Sequence, residues 1–126
     1  MDLFEELRRG GVSHMHCGWA SFAILSAVTI IEDGEELDGV TDFEKRTVTV
    51  SSKLDYTAMR HTLLHEIWHV LLEGMWMHDR SKEYGAMSGI VPICNEDLAE
   101  NIAKGTLLFR NLNPQLWNIL FAPHLT

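Results

Sequence analysis

From Tyr56 to Glu73 the chain reads as one helix, and what that helix carries limits what the rest can be. Leu64, Ile67, Trp68 and Leu71 recur at helical spacing and form an apolar stripe. Leu63, Val70 and Leu72 add to it, so the helix is expected to be largely buried. Gly74 follows as a stop. Within this apolar stretch stand His65, Glu66 and His69. Two imidazoles and a carboxylate are costly to bury unless they find partners. Such a helix needs other elements to cover it and something to satisfy its polar groups.

The remaining pattern supplies those elements. Residues 2–9 predict a short helix, stopped by Gly10-Gly11. Ala20 to Ile31 is rich in small, β-branched and apolar residues, and part of it is expected to be a buried strand. Glu32-Asp33-Gly34-Glu35-Glu36 and Asp38-Gly39 read as turns. Thr47-Val48-Thr49-Val50-Ser51 alternates, which predicts a strand with one face on the core and one face free. Residues 75–94 contain Gly85, Gly89 and Pro92 and read as mostly loop. Asn95 is a good N-cap for a helix from Glu96 to about Asn111, with Asp97 suiting its positive end. Asn113-Pro114 breaks the pattern before a short terminal helix over 115–121. Strands come mainly before helices, which predicts an α+β fold with a small antiparallel or mixed sheet packed on helices. At 126 residues the expectation is one domain, 1–126, with a single core.

His65-Glu66-Ile67-Trp68-His69 is an HExxH pattern. Residues four apart share a helix face, about 6 Å apart along the axis. Imidazoles at that spacing can both reach one zinc ion at about 2.0–2.1 Å. Glu66 is turned by about 100° from His65 and need not bind the metal. It can instead accept a proton from a zinc-activated water, as a general base. Two histidines need a third protein ligand. Glu96 and Glu100 share one face of the later helix, so one can bind zinc and the other can orient a ligand histidine. His78 is a further candidate for the third position.

His65-Glu66-Ile67-Trp68-His69 followed by Asn95-Glu96-Asp97-Leu98-Ala99-Glu100 resembles the gluzincins, the thermolysin-type zinc metallopeptidases. Their second helix carries Asn-Glu-x-x-Ser/Ala-Asp, and by this resemblance Glu96 is the third zinc ligand. Glu100 falls where the family has an aspartate behind the ligands. The layout is also similar to the small intracellular ImmA/IrrE-like metallopeptidases and related phage-borne proteins. That similarity runs from the Asp38-Gly39-Val40-Thr41-Asp42 turn through Thr47-Val48-Thr49-Val50 and Tyr56, over residues 38–110. It implies a zincin-like core in which a small sheet packs against the HExxH helix and a glutamate-bearing helix. Trp68 stands where such families often have glycine, and Met75 stands where a metzincin would need histidine.

The expected function is therefore a zinc-dependent peptidase, with zinc on His65, His69 and Glu96 and with Glu66 as the base. The Thr47–Ser51 strand is expected to offer its edge to an extended peptide. The alternative is a zinc-stabilised binding or regulatory module that hydrolyses nothing. Several residues near this scheme read more plainly. His61 is expected to be a partly buried, hydrogen-bonded histidine, and Tyr56 and Tyr84 to be packing residues, with an oxyanion role for Tyr84 or His78 as the sharper option. His14, His16 and Cys17 form a metal-capable cluster that is read as loop, and Cys94 is read as a buried thiol. Trp19, Trp68, Trp76 and Trp117 are read as core or pocket wall.

Charge and cysteine usage bound the rest. A net charge of −8, from 18 acidic and 10 basic residues, argues against general nucleic-acid binding. Two cysteines do not make a disulfide scaffold, the first residues lack a signal-peptide pattern, and Gly18 to Ile31 is too short to span a bilayer. The expected setting is the cytoplasm, with a peptide or protein substrate and no membrane.

Overall fold

Asp2 starts the first helix, α1 (Leu3–Arg9), by accepting a hydrogen bond from the Glu5 backbone N–H at 2.8 Å. Glu5 and Glu6 lie at its positive end and Arg8 and Arg9 at its negative end. Leu3 and Leu7, one turn apart, are buried. The helix stops at Gly10, as expected, and Gly11 takes a φ of 72° that favours glycine. The protein is seen here as a computed structural model that describes residues 2–74 and 95–122.

Four strands form a mixed sheet: β1 (His14–His16), β2 (Ser21–Ala27), β5 (Gly39–Asp42) and β6 (Thr47–Ser51). Their order is β1-β2-β6-β5. The β2–β6 pair is parallel, and β1–β2 and β5–β6 are antiparallel. Between β2 and β5 lies a small hairpin, β3 (Ile31–Glu32) and β4 (Glu35–Glu36). Asp33 and Gly34 turn it with φ values of 52° and 81°, the paired positive values that suit a tight two-residue hairpin.

Register divides the sheet into two faces. Met15 opposes Phe22, Ile24 opposes Val48, and Gly39 and Thr41 oppose Val50 and Val48. These residues form the inner face, where Met15, Phe22, Val48 and Val50 are fully buried. His14, His16, Ala23, Leu25, Thr47 and Thr49 alternate onto the other face.

The inner face packs against α2 (Tyr56–Gly74), and α1 lies beside that helix. The side of α2 turned inward carries Met59, Leu63, Ile67 and Val70, together with Thr62 and Glu66. This corrects the expected stripe. Ile67 and Leu71 are buried, but Leu64 and Trp68 are only half-buried flanks. Apolar residues surround the helix on most sides, so periodicity alone did not set its rotation. The sheet set it, by drawing Thr62 and Glu66 inward.

Two more helices complete the described residues: α3 (Asn95–Leu112) and α4 (Pro114–Phe121). Asn113, between them, is buried, and its carboxamide spans three backbone groups. Its Oδ1 accepts from His16 N–H at 2.7 Å, and its Nδ2 donates to His16 O at 2.7 Å and to Phe109 O at 3.1 Å. The break foreseen at Asn113-Pro114 thus ties the helices to strand β1.

The α+β class holds, with a mixed sheet and four helices among the described residues. Three expectations change. Only Phe22 is fully buried in β2, and Leu25, Val28 and Ile31 are exposed, because the outer side of the sheet and the hairpin face outward. Gly39 opens strand β5 and does not end in a turn. The Thr47–Ser51 strand is interior, flanked by β2 and β5, so its edge is not open to a peptide. No described helix is long and apolar enough to cross a membrane.

Candidate metal centre

Helical geometry brings His65 and His69 together, as their spacing predicts. Their Nε2 atoms lie 3.0 Å apart, and the rings meet edge to face with centroids 4.7 Å apart. Tetrahedral zinc with two bonds of about 2.05 Å would hold two nitrogens about 3.3 Å apart. The observed pair is within a few tenths of an ångström of that arrangement. His65, Glu66 and His69 together place their ligand atoms within 4.8 Å of one another, a group able to hold a metal ion.

Glu66 differs from the histidines in exposure. Its side chain is only 9% exposed, whereas that of His65 is 57% exposed, and His65 Nε2 lies 3.9 Å from Glu66 Oε2. The two carboxylate oxygens therefore have separate surroundings. Oε1 accepts a hydrogen bond from Thr41 Oγ1 at 2.8 Å. Oε2 is the oxygen near the histidine pair. A buried carboxylate without a donor would be costly, and Thr41 supplies the donor from the neighbouring strand.

Gly39 makes that approach possible. A Cβ at this position would lie 2.7 Å from Thr62 Cγ2 and 3.2 Å from both Glu66 Cγ and Thr49 O. Any larger residue would push β5 away from α2 and pull Thr41 off Glu66. Gly39 and Thr41 were read from the sequence only as part of a turn, where the structure has strand β5, and neither was given a role at the site. The available signal was the short run Gly39-Val40-Thr41, in which Gly39 and Thr41 fall on one strand face.

The group opens into a cleft of about 340 Å³ lined by Glu32, β5, Phe43 and the three α2 residues. On the far side of the histidine pair lies an apolar groove bounded by His61, Leu64, Trp68 and Leu72. His61 is exposed there, contrary to the expectation of partial burial, because it points away from the sheet with His65.

Other expected residues fall elsewhere. Glu100 is exposed on α3, where Lys104 Nζ approaches its Oε1 at 3.5 Å. Tyr56 lies at the start of α2, and its hydroxyl donates to Glu6 Oε2 at 2.7 Å. Burial first, and then that carboxylate, push its pKa up to about 12. Cys17 is buried, donates to Ala20 O at 3.2 Å, and burial pushes its thiol pKa up. The segment read as loop is strand β1 over His14–His16, and Cys17 points inward while His14 and His16 point outward, so the three do not form one cluster. Of the residues read as core or pocket wall, Trp19 is half-exposed and lines a pocket with Cys17 and Leu108, and Trp68 and Trp117 are half-buried. Glu96 lies in the first turn of α3, but its side chain is outside the described residues, as are His78, Tyr84, Trp76 and Cys94.

Comparison with known proteins gave no matching family model, no matching curated protein and no matching solved structure.

Proposed function

We propose that the chain is a zinc-dependent metallopeptidase with a zincin-like core, acting on a peptide or protein in the cytoplasm. One observation carries the reading: two Nε2 atoms 3.0 Å apart on an exposed helix turn, with a buried carboxylate beside them. His65 and His69 would hold the ion, and Glu96 is the third ligand that the resemblance to gluzincins implies. A zinc ion supplies Lewis acidity that acidifies a water and polarises a carbonyl.

The chain's own residues do the rest. Glu66 Oε2 takes a proton from the attacking water and delivers it to the leaving amine. Thr41 keeps Oε1 engaged, so the carboxylate presents its other oxygen to the cleft. The β5 strand replaces Thr47–Ser51 as the substrate rail. It is the outer strand on that side of the sheet, and its Gly39, Val40 and Thr41 line the cleft. An extended peptide pairing with β5 would run past the histidines. The exposure of His65 favours this reading over a closed, purely structural zinc site.

Elemental analysis of the purified chain tests the site first. About one zinc per chain is expected in the wild type, and His65→Ala and Glu96→Ala should each lose it. A peptide library then reads cleavage. A wild type that takes up no zinc, even when it is added back, would overturn the assignment.

A further inference from the structure

We propose that His14 and His16 hold a second divalent transition-metal ion, independent of the helical site. Alternation along β1 sends Met15 and Cys17 into the core and puts both imidazoles on the outer face. Each ring is anchored by a neighbouring serine. Ser13 Oγ lies 2.8 Å from His14 Nδ1, and Ser21 Oγ lies 2.6 Å from His16 Nδ1. Ser21 stands directly opposite His16 in the β1–β2 ladder, so this anchor is fixed by strand register.

The anchoring decides which nitrogen faces outward. When Nδ1–H donates to a serine oxygen, Nε2 carries the free lone pair, the form of imidazole that binds metal. The backbone beneath is held as well, because Asn113 bonds both the N–H and the C=O of His16. Both histidines line one cleft of about 440 Å³ with Asn113 and Gln115. Among the described residues no lysine or arginine lines that cleft. Two imidazoles select zinc, copper or nickel over magnesium or calcium. Water and the Gln115 amide can fill the remaining positions. Among the described residues no carboxylate lines the cleft, so those residues bind an ion without a base for hydrolysis.

Nickel titration of the wild-type chain tests the proposal, read by nuclear magnetic resonance of the imidazole protons. Paramagnetic Ni²⁺ should broaden the His14 and His16 signals together, saturating at one ion for that pair. Calorimetry with Ni²⁺ should then show one binding event lost in His14→Ala and in His16→Ala, and likewise in the glutamine variants that keep a polar surface. Ser13→Ala combined with Ser21→Ala should weaken that event about tenfold, the scale on which partners behind a ligand act. Broadening confined to His61, His65 or His69, or calorimetry unchanged by removing both His14 and His16, would overturn it. An unchanged affinity in the serine variant would overturn the anchoring on which it depends.

Discussion

The His65–His69 pair on α2 and the His14–His16 pair on β1 expose imidazoles in different settings. On the helix, spacing alone brings the two Nε2 atoms to 3.0 Å, and a buried glutamate stands 3.9 Å from one of them. On the strand, alternation puts both rings on one face, and hydroxyls stand behind them. The histidines are similar in kind, and the groups behind them differ. Among the described residues only the helical pair has a carboxylate at hand, the group that the proposed hydrolysis requires. The strand pair is equipped to hold an ion. What a histidine pair can do is set by the groups that its own element and the neighbouring strand place behind it.

That contrast can be broken at the acceptor. Glu66→Gln keeps the shape of the side chain and removes its basicity. Peptide hydrolysis should fall by about 10²–10⁴-fold while zinc content stays at the wild-type level. Retained turnover would remove the distinction between the two pairs. Gly39→Ala attacks the same arrangement through the backbone. The added methyl collides with Thr62, so urea unfolding should show a loss of about 1–3 kcal/mol.

Thr41→Val is a finer probe. It leaves a largely buried carboxylate oxygen without its donor, and unfolding free energy should drop by about 1–3 kcal/mol. Turnover should fall with it, since Glu66 is free to rotate. Wild-type stability and turnover in that variant would show that the strand contributes nothing to the acid. On the other pair, His14→Ala with His16→Ala should change stability by less than about 0.5 kcal/mol, as expected of exposed positions.

The effect confined to the narrowest conditions is at Tyr56, near the start of the same helix, and appears only at alkaline pH. Its phenol pKa is raised from 10.0 to about 12 in the folded chain. Between those values the unfolded chain binds fewer protons than the folded one, so stability falls as pH rises. The contribution is complete below pH 10 and is lost by about pH 12. Tyr56→Phe should flatten that part of the curve in chemical denaturation across alkaline pH.

How much of this was legible in the sequence varies by residue. His65, Glu66 and His69 were readable because a helix has a fixed pitch, so four residues of sequence fix a distance in space. The C-terminal end of α1 was readable because Gly10 and Gly11 act locally. Thr41 was not readable. Its contact with Glu66 spans 25 residues and depends on which strand lies at the edge of the sheet. Strand order also misled the reading of Thr47–Ser51, whose alternation is the same at an edge or in the interior. The rotation of α2 escaped for a related reason: Leu63, Leu64, Ile67 and Trp68 are all apolar, and only the packed sheet distinguishes among them. The resemblance to gluzincins rests on residues whose partner set includes Glu96, whose side chain lies outside those described.

Asn113 has a consequence for how the protein keeps to itself. A strand at the rim of a sheet is a template for a strand from another molecule, and unguarded rims seed aggregation. At β1 the outward N–H and C=O of His16 are already taken by the Asn113 carboxamide, a side chain that imitates one step of a ladder. A foreign strand arriving there would have to displace a buried group that also bonds Phe109. Among the described strands of this sheet, that leaves recruitment to the opposite rim, formed by β5. On the proposed peptidase reading, the described sheet edge left to an incoming peptide is the one beside the histidines.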